Sequence, residues 1–135
     1  MRLIMQIRLL LLVVTFFCGT AAAASAGIAY VIPFKIETEA PITRADIVTS
    51  VRERCRLTSA GALENILSSS TRTSKLFDER SVRAKVIEGR KSVFIDSAGV
   101  LNLPQGFAIA EPDLRRIVFD HSDKQKKCTL GRPRF

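Results

Sequence analysis

The chain has 135 residues, 47% of them hydrophobic and 25% charged, which fits one ordinary globular domain and excludes wholesale disorder. Seven glycines and five prolines exclude collagen-like and low-complexity architectures. The 21 Lys and Arg residues against 13 Asp and Glu give a net charge of +8, so any electrostatic partner is acidic.

Residues 1–26 read as a secretory signal peptide. Arg2 and Arg8 precede an apolar run from Leu9 to Phe17, and small residues follow from Ala21 to Ala26, with cleavage sites after Ala24 or Ala26. The rival reading is an uncleaved inner-membrane anchor, because no charge stands between Arg8 and Lys35. The alanine-rich second half and Pro33 weigh against it. Phe17 stands where lipidation of Cys18 would need a small residue. The expected location is the bacterial periplasm, with full secretion as the alternative.

Cleavage before Gly27 leaves Cys55 and Cys128 as the remaining cysteines. An even count in an exported chain reads as a disulfide. Two buried thiols are the alternative, and metal binding is poorer, since His121 is the only histidine and neither cysteine has a partner at ligand spacing.

Ile28 to Glu37 alternates and predicts a strand with Ile28, Tyr30, Ile32, Phe34 and Ile36 on its buried face, at an edge or bulge because of Pro33. Thr43 and Asp46 suit a helix start, and Ile47, Val48, Val51 and Cys55 then form one narrow helical stripe facing the core. A second helix is expected from Ser59 to about Ser69, with Leu63, Ile66 and Leu67 inward, followed by a Ser/Thr-rich connector over 68–74. Val82 to Val86 and Ser92 to Asp96 read as a hairpin turning at Glu88-Gly89-Arg90. Asp96 to Gly99 is a second turn and Leu103 to Gly106 a third, each leading into a short apolar run. Pro112 suits the first position of a closing helix with Leu114, Ile117 and Val118 on its buried side. The order predicts an α+β fold, a small antiparallel sheet of three to five strands with two or three helices packed on it. Residues 27–123 form the single compact domain, and 124–135 a basic C-terminal tail tethered through Cys128.

The charge is unevenly placed. Cleavage at Gly27 leaves 19 basic residues and a net +6, and residues 27–123 carry +1 of it. Lys124, Lys126, Lys127, Arg132 and Arg134 supply the rest. A disulfide would hold this tail beside the segment bearing Arg52, Arg54 and Arg56, and could gather these cations for an anionic partner. The bland alternative is a frayed, soluble terminus.

Catalytic signatures are sparse. His121 is expected just beyond the closing helix as a surface residue favoured by the dipole. The run Val93 to Gly99 departs from the Asp-Ser/Thr-Gly loop of two-carboxylate proteases, because Ala98 separates Ser97 from Gly99. Asp96 reads better as a turn former. No phosphate loop, GxSxG elbow, HExxH helix or EF-hand loop occurs. No cofactor is expected. The sequence therefore points to a non-catalytic exported module, an accessory, inhibitor or immunity-type protein, that binds another envelope or secreted macromolecule. The alternative is a binder of anionic polymer or lipid headgroups, and a hydrolase using Asp96 or His121 ranks third. Nucleic acid is disfavoured, because the aromatic residues sit in apolar runs and offer no evident stacking platform.

Overall fold

The computed structural model describes residues 27–51, 54–109, 117–121 and 127–133. In chain order the elements are β1 (Ile28–Val31), α1 (Ile47–Ser50), β2 (Arg54–Leu57), α2 (Ala62–Ser69), β3 (Thr71–Arg72), β4 (Val82–Glu88), β5 (Lys91–Asp96), β6 (Val100–Leu103), β7 (Gly106–Ile109), β8 (Val118–His121) and β9 (Lys127–Thr129). The class is α+β, with an antiparallel sheet and two helices. Hydrogen-bonded pairing carries the sheet through nine strands in the order β3-β7-β6-β5-β4-β1-β2-β8-β9. It exceeds the expected three to five strands because short segments are recruited at both ends. The outermost, β3 and β9, have two and three residues, too short to announce themselves by alternation.

The local hairpins follow their turn chemistry. β4 and β5 pair up to Glu88 opposite Lys91, and Gly89 supplies the positive φ of 60° that a two-residue connection needs. A register shift between Val82 and Ala84 turns Val82 to the face opposite Ala84 and Val86. Both faces of the sheet are consequently apolar in part. One carries Ala29, Cys55, Leu57, Ala84, Val86, Val93, Ile95, Leu101 and Phe119, covered by Leu63 and Ile66 of α2 and by Leu130. The other carries Val82 and Val100 beneath Ile47 of α1 and Phe77, with Tyr30, Ile32 and Phe94 at the margin.

The sheet bends toward its larger core. Cys55 on β2 and Cys128 on β9 form a disulfide with Cα atoms 6.2 Å apart, although β8 lies between those strands. In a flat sheet the same two strands would stand roughly 9.6 Å apart. The segment after β9 also meets the segment after β1. Leu130 accepts a hydrogen bond from the Phe34 N–H at 3.2 Å. Leu130 is fully buried, and Pro133 lies against Gly99. Residues 127–133 thus form a strap seated on the core.

Four expectations change. The stripe from Ile47 does not continue as a helix to Cys55: α1 ends after Ser50, Val51 is extended, and Cys55 sits in β2. Cys55 satisfies both periods, inward on the helical stripe and inward on a strand with Leu57. Pairing of β2 with β1 on one side and β8 on the other selects the strand. β1 stops at Val31, two residues before Pro33, and its fully buried residue is Ala29, while Ile28 is 39% and Ile36 51% exposed. Helix α2 starts at Ala62, behind a left-handed Gly61, and not at Ser59. Its cap comes from β4: Glu88 accepts the N–H groups of Gly61 at 2.6 Å and Leu63 at 3.0 Å. A carboxylate at that position satisfies two orphan donors and meets the positive end of the dipole. Finally, Val118 opens strand β8 in place of closing a helix, because it and Phe119 pair with Thr129 and Cys128 of β9. His121 stands within β8, opposite Cys55. Most of the expected closing helix, 110–116, lies outside the described residues.

Candidate functional site

Among the described residues, the face of the sheet away from the larger core is only partly covered, and the register sets out what it presents. Side chains opposite one another on paired strands share a face. One row across β2, β1, β4, β5 and β6 reads Arg54, Tyr30, Lys85, Phe94, Asn102. The next reads Lys127, Asp120, Arg56, Ile28, Ile87, Ser92 across β9, β8, β2, β1, β4 and β5. Arg54 and Arg56 lie two residues apart on β2, and Lys85 and Lys127 each stand two strands from β2, so the register sets the four cations on one face of the sheet.

The aromatic rings in the first row act as seats for cations. The Arg54 guanidinium lies 5.9 Å from the Tyr30 ring centroid, and the Lys85 ammonium 5.2 Å from that of Phe94. Arg44 approaches Phe94 at 5.9 Å and is also tied to Glu79 by a 2.7 Å ion pair. A ring beneath a cation holds that side chain in place and covers its own face. Tyr30 and Phe94 are half-buried and so present charge outward more than they present stacking surface. Arg54, Arg56, Lys127 and Ile28 are exposed, and Lys85 and Ile87 are half-buried.

Of the cations singled out from the sequence, Arg54, Arg56 and Lys127 share this face by register. Arg132 is exposed on the strap, outside the rows. Arg52, Lys124, Lys126 and Arg134 lie outside the described residues. Sequence reasoning missed Lys85, Tyr30, Phe94, Ile28 and Ile87, since alternation gives two faces without saying which is core.

Asp96 is 1% exposed and wholly engaged in holding turns. Its Oδ1 accepts the N–H groups of Ala98 at 2.9 Å and Val100 at 2.8 Å, and its Oδ2 that of Asp78 at 2.9 Å. Burial pushes its carboxyl above the ordinary 3.8, against the opposing pull of those three donors. Asp78 is held below the ordinary value by the Arg80 N–H and the Ser81 side chain.

An open hollow of about 350 Å³ lies beside α2, lined by Gly61, Leu63, Glu64, Glu88, Arg90 and Lys91. Glu88 is spent on the helix cap, and Glu64 is paired with Lys91 at 3.2 Å. Among the described residues, no three His, Cys, Asp or Glu side chains are grouped to hold a metal ion, and no helix is long and apolar enough to cross a membrane. The chain matches no protein-family model, no curated protein and no solved structure.

Proposed function

We propose that the chain is a small exported, non-catalytic α+β module of the bacterial periplasm that binds another envelope or secreted macromolecule, in the manner of an accessory, inhibitor or immunity-type protein. The observation that carries this reading is the open sheet face, where exposed Ile28 and half-buried Ile87 stand among Arg54, Arg56, Lys85 and Lys127. Apolar side chains beside arginine and aromatic residues are common components of a protein-binding surface. The engagement of Asp96 by three backbone donors supports a structural role for that carboxylate over a hydrolytic one.

The second reading, a binder of anionic polymer or lipid headgroups, draws on the same cations. The two separate by salt and by substitution. Association with phosphatidylglycerol vesicles that collapses between low and high ionic strength, and with Lys127→Glu, would favour the polyanion. Removing residues 124–135 is not a clean test, because it also removes buried Leu130 and the disulfide. The binding reading is tested by native affinity purification of the mature chain from the periplasmic fraction. One reproducible stoichiometric partner is expected, and repeated recovery of the chain alone would overturn it.

A further inference from the structure

The rows on the open face also constrain the chemistry of the partner. Arg54 and Arg56 alternate along β2, so their Cα atoms stand roughly 7 Å apart on one face, the same backbone spacing as residues two apart on an extended partner segment. Lys85 and Lys127 flank them, each two strands away. Arg54 and Lys85 rest on aromatic rings, so less side-chain freedom is lost when they meet an anion. Beside the cations, Ile28 is 39% exposed and neighbours Ile87 in the register. A hydrated phosphate polymer would satisfy the charges and leave that aliphatic pair wet. A protein carrying carboxylates around an apolar contact would satisfy both.

Resting on the binding role proposed above, we propose that this face docks an acidic protein segment, with Ile28 and Ile87 as the apolar anchor and Arg54, Arg56, Lys85 and Lys127 pairing with Asp and Glu side chains of the partner.

The test uses the full chain, expressed and exported, with the photocrosslinker p-benzoylphenylalanine placed in turn at Ile28, Ser92 and Leu76. Ser92 ends the second row, whereas Leu76, 78% exposed, lies in neither row. Adducts from Ile28 and Ser92 to one protein are expected, with Asp or Glu within the crosslinked peptide. Arg54→Glu/Arg56→Glu should lower both yields by about tenfold or more, through like-charge repulsion. Asp/Glu→Lys changes in the identified peptide should restore them. An unchanged unfolding transition for the double variant assigns the loss to the surface. Adducts to lipid or polysaccharide overturn the proposal, as does an adduct peptide without acidic residues or a yield indifferent to the charge reversal. Adducts from Leu76 alone overturn this face and leave the binding role standing. No adduct from any of the three positions overturns both.

Discussion

The disulfide is expected to supply a large part of the stability of this fold. Cys55 and Cys128 are separated by 73 residues, so their bond removes a long closed loop from the unfolded ensemble. The loop-closure relation gives about 4 kcal/mol for a loop of that length. Against the roughly 5–15 kcal/mol of a typical domain, that is about a quarter or more of the total. Cys55 is 2% exposed, and Cys55→Ala/Cys128→Ala removes the bond without leaving a buried thiol. Urea unfolding of the oxidised protein, the reduced protein and the double variant should place the last two together, about 4 kcal/mol below the first. For a domain near one hundred residues, the midpoint of thermal unfolding should fall on the order of 15 °C. Amide exchange should quicken first in residues 127–133, whose other ties include the β8 pairing, buried Leu130, the Phe34 bond and the contact of Pro133 with Gly99. A loss under about 1 kcal/mol would refute the reasoning, since it would mean that the unfolded chain gains little freedom when the loop opens.

Three further predictions concern single side chains. Gly99→Ala places a Cβ 2.9 Å from Pro133 Cγ at a φ of 81°, and should cost about 1–3 kcal/mol in urea unfolding. Gly89→Ala, at a φ of 60° with nothing within 4 Å, should cost less, and equal losses would remove the Pro133 contact from the account. Glu88→Ala should destabilise by about 1–2 kcal/mol and speed amide exchange at Gly61 and Leu63, with Glu88→Gln intermediate; unchanged exchange would discard the cap. The two shifted carboxyls should act in opposite senses with pH. Asp96 is raised, so its contribution is full below the ordinary 3.8 and declines as pH rises through its folded value. Asp78 is lowered, so its contribution is present above 3.8 and is lost as pH falls through its folded value. Unfolding free energies across that range for Asp96→Asn and Asp78→Asn should therefore lose slopes of opposite sign, and slopes of one sign would contradict the assignment.

How much of this was readable in the sequence depends on whether the deciding contact is local. The β4–β5 hairpin and the Asp96 turn were legible because alternation, Gly89 and Gly99 lie within a few residues of the structure they specify. Counting cysteines identified the Cys55–Cys128 bond. The secondary structure around Cys55 was not legible, since helical and strand periods both turn it inward. Strands β1 and β8, distant in sequence, decide it. The cap of α2 was hidden for the same reason, because Glu88 follows Gly61 by 27 residues. The cationic site was half legible. Arg54, Arg56 and Lys127 could be named from charge, whereas Lys85 and its aromatic seat on Phe94 required the register of β4 on β5.

Among the described residues, a wide sheet is matched by little helix to cover its second face. Helix α2, eight residues long, packs on the larger core, and α1 has four, a length of about 6 Å. So short a helix shelters Val82 and Val100 at one end of its face and reaches no further among the described residues. Beyond it the chain places long cationic side chains on rings, where their methylene stems cover apolar surface while their charges stay in water. Such a surface is solvated in the free protein and needs no rearrangement to meet carboxylates. If it were merely a solvated face, charge reversal at Arg54 and Arg56 would leave every interaction of the protein unchanged. If it is a docking surface, part of the cost of ordering Arg54 and Lys85 has been met in folding by their ring contacts, and reversal at Arg54 and Arg56 removes attraction and adds repulsion.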